Sequence, residues 1–407
     1  MENKNLKLED YNLDSSDTLK RVIKSDNREK IELEIGDAKQ NIAYPQAKIM
    51  KWDNEVNFSI RRDNGCRKFK EKDNMIVFES EKEDVRFYEL NGFEDGGLEV
   101  EILLKDKPKN NVFNFSIETK GLRFCYQGEL SDIDEREREK IRPADVVGSY
   151  AVFHKTKKNN NLKDKHNYKT GKAFHIYRPK AIDNKGNITW CVLNIDVDKK
   201  ILSVTVPNDF LDNASYPVVV DPTIGYTSIG ASFVELVYMS TMDGNSATRM
   251  GTLYNDFAGG TVTKMSCALY SSTTLTCDYT VLINEKDSEG TDSHGELFKK
   301  LVEDEDVTTT TTWFHTDVDN VVIAAGDVIL NIAGDMDNIS VSEGNMRITF
   351  DSDEDYNAYR EGGFNFTYPL DDPWNRAPTT ITGLKDARIS LYFTLEDSDT
   401  YKMFSVF

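Results

Sequence analysis

The sequence is short of the side chains that build metal and nucleophile chemistry. It has five histidines, His154, His166, His175, His294 and His315. None forms a His-x-x-x-His or His-Glu-x-x-His spacing, and no paired Cys-x-x-Cys is present, so zinc is not expected. Gly-x-Ser-x-Gly and a phosphate-binding glycine loop are missing as well. Carboxylates are plentiful, but a glycosidase is recognised by the separation of two carboxyl groups in space. A pair of facing carboxylates in a groove would be needed to argue for a polysaccharide hydrolase. His175, inside Phe174-His175-Ile176-Tyr177, reads as a strand histidine with a satisfied ring. The expectation is a protein that is not an enzyme and has no cofactor, calcium being the one ion considered below.

Cysteine is equally sparse. Cys66, Cys125, Cys191, Cys267 and Cys277 are odd in number and scattered through 407 residues, which suits reduced core thiols better than a disulfide framework. Cys267 and Cys277 flank residues 271–274 and have the spacing to meet across a hairpin, although free thiols are favoured there too. Long apolar runs are absent. The start, Met1-Glu2-Asn3-Lys4-Asn5-Leu6-Lys7, has no apolar core of a signal peptide, and no stretch reaches membrane-spanning length. These features predict synthesis in a cytoplasm and no membrane partner.

Positive charge is scarce in the second half. From residue 225 onward there are 11 Lys+Arg against 30 Asp+Glu, leaving 39 against 40 before it, so nearly all of the net charge of −20 lies downstream. A field of that sign repels nucleic acid and argues against direct nucleic-acid binding. One stretch runs the other way. Residues 155–172 form a basic, asparagine-rich loop able to meet phosphate or an acidic protein face, including the acidic half of another copy, or simply to be solvated.

What the sequence does have is strand pattern. Hydrophobic residues make up 39% and aromatics 11%, mostly Tyr and Phe. Val56, Phe58 and Ile60 alternate with polar residues, as do Phe113, Phe115 and Ile117, while Val85 and Phe87 alternate with Arg86 and Tyr88, and Leu98, Val100, Ile102 and Leu104 with Glu99, Glu101 and Leu103. Residues 177–192 read as a hairpin about Asp183-Asn184-Lys185-Gly186-Asn187. Downstream, strands are expected over 261–270, 279–284, 313–322, 328–333, 346–350 and 388–395, with Trp313 in the core. Ser16-Asp17-Thr18 has the residues to cap a short helix with Leu19, Val22 and Ile23 on one face, the alternative being a frayed terminus that orders only on contact, and an exposed helix is predicted over 131–142. The architecture is therefore mainly β, with two antiparallel β-sandwich, jelly-roll-like domains and a short N-terminal arm. The divisions are an arm over 1–45, a β-rich docking domain over 46–223, a jelly-roll lectin-like domain over 224–397 and a tail over 398–407.

The chain is organised around residues 202–223. Leu202, Val204 and Val206 alternate with Ser203 and Thr205, Pro207 ends the strand, turn formers fill 208–215, and Val218-Val219-Val220 makes a buried run closed by Asp221-Pro222. The stretch from Pro207 through Tyr216-Pro217-Val218-Val219-Val220-Asp221-Pro222-Thr223 resembles a joint in structural proteins of tailed phages. It is also similar to a Tyr-Pro-Val-x-x-Asp-Pro-Thr turn of large bacterial surface proteins. Residues 142–152 and 168–179 fit the same pattern, in the same order. The resemblance spans roughly residues 50–395. It implies that 224–230 lead into a lectin-like sandwich. It also implies a virion component of head-decoration, tail or fibre type, with copies of itself and other virion proteins as partners, and gives no catalytic residues.

Two sites are considered. Asp351, Asp353 and Asp355 place oxygen ligands at alternate positions, but the glycine and glutamate of an EF-hand are missing, so only a looser sandwich-type calcium site or a plain acidic loop is open. Tyr356, Tyr359, Phe364 and Trp374, with neighbouring Phe366 and Tyr368, form an aromatic segment suited to stacking on a cell-surface glycan or to packing on the sandwich. A glycan-binding surface or fibre adhesin is therefore the second functional class and a polysaccharide-active hydrolase the third.

Overall fold

A computed structural model describes residues 11–13, 19–24, 28–36, 46–66, 69–130, 140–157, 166–236, 246–257, 259–286, 293–334, 346–365 and 385–395. These are almost all antiparallel strand, with a single helix among the described residues, Asn208–Asn213. The mainly-β, sandwich-like expectation holds.

The chain divides into two compact units. The first comprises Met1–Gly128, Ala144–Lys157 and Lys172–Ser228, and the second Glu129–Pro143, Lys158–Gly171 and Ile229–Phe407. Neither is one continuous stretch, and the main crossing falls after Ser228 rather than after Thr223.

In the first unit an eight-stranded sheet runs in the order Asn12–Leu13, Leu19–Lys24, Ile31–Ile35, Ala47–Lys51, Val56–Arg61, Val112–Lys120, Ile201–Thr205, Val192–Asp196. Strand alternation decides which side is buried. Phe113, Phe115 and Ile117 are enclosed while Val112, Asn114, Ser116 and Glu118 are exposed. Described residues within 1–45 lie on strands of this sheet. Ile31, Leu33 and Ile35 are buried at alternate positions, and Leu19, Val22 and Ile23 lie on a strand paired with Ile31–Ile35 rather than on a helix. Cross-strand pairing outweighs a weak helical spacing of three apolar residues. Residues 14–18 and 131–139 lie outside the described residues.

The facing eleven-stranded sheet is built about Gly97–Leu104. Glu83–Leu90 pairs along its whole length, while Thr223–Gly225 and Val218–Asp221 pair in turn with its two ends. The residues that carry the resemblance are thus strands inside a sheet, with Val218, Val220 and Ile224 buried. Residues 208–215 are not a plain turn: Asn208–Asn213 is helical, Leu211 is buried, and the Tyr216 hydroxyl donates to the Leu211 carbonyl at 2.8 Å. Asp209 in the first turn complements the helix N-terminus. The two sheets share a core in which the Phe58 ring meets Phe124 and Phe174, with centroids 6.1 and 5.7 Å away. Gly225 is required by packing, because a Cβ there would sit 2.7 Å from the Phe93 ring.

The second unit is one ten-stranded sheet folded on itself. Met346–Asn365 runs through it: its first residues pair with Ser232–Glu235, Gly260–Ser271 and Lys385–Ile389, and its later ones with Ser246–Phe257. The register shift between Ser352 and Asn357 marks the change. Residues from both halves, among them Val281, Ile283, Leu330, Met265, Ile348 and Leu391, form one core. Trp313 is not in it. It is half-buried, its ring 4.9 Å from that of Tyr392 and with Lys169 above it. Cys267 and Cys277 are not hairpin partners either. Gly260–Ser271 and Leu275–Lys286 pair with different neighbours, and both cysteines are buried and outside any disulfide.

The two excursions of chain that belong to this unit are anchored by polar contacts. Ile141 and Phe233 exchange backbone hydrogen bonds of 2.9 and 2.8 Å. The Arg142 guanidinium donates to Ser232 Oγ and Ser352 Oγ at 2.9 and 2.8 Å. Tyr168 is enclosed, and Arg388 Nη1 donates to the Thr170 carbonyl at 2.5 Å.

Candidate functional site

The first unit holds a cleft of about 820 Å³ over one face of the eleven-stranded sheet. Its floor follows from alternation on three strands. Glu83–Leu90 turns Val85 and Phe87 into the core and leaves Arg86 and Tyr88 on the other face. Gly97–Leu104 does the same with Glu99 and Glu101, and Val218–Asp221 with Val219 and Asp221. Lys180–Ile182 buries Ala181 and presents Lys180 and Ile182. Pro217 and the turn residues Asp183, Asn184 and Gly186 complete the lining.

The floor is ordered by charge. The Tyr88 hydroxyl donates to Glu101 Oε1 at 2.5 Å, and Arg86 Nη1 lies 3.6 Å from Glu101 Oε2. Lys180 Nζ lies 3.8 Å from Asp221 Oδ2, and the Lys180 amide donates to Asp221 Oδ1 at 3.2 Å. Beside them Glu99 accepts from the Thr223 hydroxyl at 3.0 and 2.8 Å. Burial pushes the Tyr88 hydroxyl far above its ordinary range, with the charges of Glu99, Glu101 and Asp221 adding to the effect, so it stays a proton donor.

The cleft wall is held by Asp183. Its carboxylate accepts from the amides of Lys185 and Asn187 at 2.9 Å each, from Asn187 Nδ2 at 2.9 Å and from the Ser215 amide at 3.0 Å. The Ser215 amide and the other donors hold its pKa down at about 2. Lys180–Ile182 and Ile188–Trp190 pair as the predicted hairpin, and this one carboxylate closes it.

The sites read from sequence lie elsewhere. Asp351 and Asp353 fall on the strand Met346–Asn365, not in a loop. Asp351 accepts from the Ala231 amide at 3.0 Å, and Asp353 pairs with Arg388 Nη2 at 2.9 Å. Asp355 is on the same strand. A cation at this place would have to displace Arg388 from Asp353. No group of three metal-ligating side chains occurs among the described residues. Tyr356, Tyr359 and Phe364 also lie on Met346–Asn365, with Tyr359 opposite Gly251 and Phe364 opposite Ala247 in register. Trp374, Phe366 and Tyr368 lie outside the described residues. His175 is buried on its strand, its Nε2 2.7 Å from Ser149 Oγ.

Sequence reasoning missed the cleft. Glu99 and Glu101 read only as the positions alternating with Leu98, Val100 and Ile102, and Asp221 as the closing residue before Pro222. The available signal was an acidic residue on each of two strands, but nothing in the order of residues says that these strands are neighbours.

The sequence matches no family model and no curated protein. Among solved structures, the serine-rich repeat protein Srr2 of Streptococcus agalactiae is similar at 9% identity, over 71% of this chain and 90% of that one, with a TM-score of 0.18. A likeness that low leaves the functional reading to the chain itself.

Proposed function

We propose that this protein is a non-enzymatic structural component of a tailed-phage virion, acting by multivalent association with copies of itself and with other virion proteins. The charge distribution carries the reading. The excursions Glu129–Pro143 and Lys158–Gly171 have balances of −2 and +3, which gives the second unit −18 and the first −2. Packing the second unit against its own copies sets like charges face to face, whereas the first unit meets no such repulsion. Permanent contacts are assigned to the first unit and the solvent-facing surface to the second. Many copies then convert weak single contacts into firm attachment. The resemblance of residues 142–152, 168–179 and 207–223 to phage structural proteins supports the same reading.

Mass spectrometry of purified particles, with crosslinking of the intact assembly, tests it. The chain should be recovered as a particle component, with most inter-subunit crosslinks within the first unit. Crosslinks concentrated in residues 229–407 would reverse the orientation, and absence from particles would reject the virion reading.

A glycan-binding adhesin is the second reading, favoured by the cleft of the first unit, whose lining mixes charged and apolar side chains. A hydrolase is not proposed. Glu101 and Asp221 do line one groove, but each is engaged by a basic side chain and by a hydrogen-bond donor of the floor.

A further inference from the structure

The sequence holds two Asn-Gly pairs, Asn64-Gly65 and Asn91-Gly92. We propose that Asn91 is a site of spontaneous deamidation, and that hydrogen bonds protect Asn64 from the same reaction. Asn91 and Gly92 are exposed in the turn between Glu83–Leu90 and Gly97–Leu104, and the Asn91 side chain makes no hydrogen bond among the described residues. Gly92 has a φ of 118°, with no atom within 4 Å of where a Cβ would stand. Nothing there obstructs the approach of its nitrogen to the asparagine side chain. Asn64 is tied instead. Its Nδ2 donates to the Phe78 and Glu83 carbonyls at 2.7 and 3.3 Å, and its Oδ1 accepts from the Cys66 amide at 3.0 Å. The Gly65 amide, the nitrogen that would attack, donates to Asp63 Oδ1 at 3.0 Å. That bond favours the protonated amide, and ring closure at Asn64 must break all four.

The reaction needs only water and its hydroxide. The Gly92 amide gives its proton to hydroxide, and its nitrogen bonds to Asn91 Cγ. The Cγ–Nδ2 bond breaks, and Nδ2 takes a proton from water and leaves as ammonia. Water then opens the cyclic imide at one carbonyl or the other. One opening gives aspartate; the other gives isoaspartate, with the chain running through Cγ. No atom changes oxidation state. Either product adds one negative charge to a unit that carries −2, and isoaspartate adds one backbone methylene two residues before Phe93. Phe93 is the ring that stacks on Tyr177 at 5.2 Å between centroids and lies against Gly97 and Gly225. Ageing protein should therefore separate into charge isoforms whose difference lies in this turn.

The test is incubation of the full-length protein at pH 8 and 37 °C, with and without urea, followed by peptide mapping that resolves asparagine, aspartate and isoaspartate. Each hydrogen bond at Asn64 is worth roughly a factor of two to ten, so native protein should deamidate at Asn91 at least about tenfold faster than at Asn64. In urea the two rates should converge, because the bonds that separate them are gone. The variant Asn91→Gln should lose the native isoaspartate signal, read by methyl transfer from an isoaspartyl methyltransferase. Asn91 that stays intact in native protein overturns the site. Equal native rates overturn the protection of Asn64. A rate difference that persists unchanged in urea assigns it to neighbouring sequence and overturns the role of the fold.

Discussion

Arg388 Nη2 lies 2.9 Å from Asp353 Oδ2, and the two side chains are 5% and 0% exposed. The same guanidinium donates to the Thr170 carbonyl, so one arginine joins the centre of the second unit's sheet to a segment that precedes it in sequence by 218 residues. An ion pair enclosed this far is defined more by the cost of breaking it than by its net contribution.

Arg388→Ala should therefore destabilise the second unit by about 3–5 kcal/mol, because Asp353 would be left charged and buried. The joint replacement Arg388→Met with Asp353→Leu should recover most of that loss. Urea unfolding curves give both values, and a single variant as stable as the parent would remove the pair from any structural role.

Residues 225–395 expressed alone should fold poorly. Such a fragment lacks Arg142, Tyr168 and Thr170, which bond to or pack within the second unit. In the full chain, Arg142→Ala should cost about 1.5–3 kcal/mol, the usual range for hydrogen bonds made by a charged donor. A sharp, cooperative melt of the isolated fragment would show that the excursions are dispensable.

Acid should loosen the hairpin that walls the cleft. The Asp183 pKa falls from 3.8 to about 2 on folding, chiefly through the Ser215 amide and Asn187. A depressed carboxylate stabilises fully above its unfolded value, and that contribution is lost as pH falls from about 5 towards 2. The melting temperature of the parent should exceed that of Asp183→Ala by several degrees, roughly, near neutral pH. The gap should narrow as pH falls through this window. A gap that is constant with pH would show that charge on Asp183 contributes nothing.

Thiol labelling separates one cysteine from the rest. Cys66 is half-buried, while Cys125, Cys191, Cys267 and Cys277 are buried. Burial pushes the Cys191 thiol up to about 12, with Asp221 adding and Arg178 opposing, and raises Cys267 as well. A thiol-exchange reagent at pH 8 should label Cys66 fast and the others only after denaturation, because the thiolate is the nucleophile. Rapid native labelling of Cys191 or Cys267 would contradict the packing.

The sequence by itself determined the class of the fold and much of its strand list. Period-two runs such as Leu98 to Leu104 and Phe113 to Ile117 bury one face whatever they pair with, so alternation alone marks them as strands. The hairpin about Asp183 was legible for the same local reason, since its turn residues bond to one another. The helical reading failed at Leu19, Val22 and Ile23, where the signal was three apolar residues and cross-strand pairing prevailed. Long charged strands such as Ser293–Val307 gave no apolar period to read.

Only the tertiary structure decided which strands are neighbours. Glu101 and Asp221 stand 120 residues apart in sequence and meet in one cleft because Val218–Asp221 pairs with Gly97–Leu104. Asp351 and Asp353 were legible as an acidic run, but their partners, the Ala231 amide and Arg388, come from elsewhere in the chain. Pairing between distant strands is fixed by the packing of whole faces, and residue order carries no local record of it.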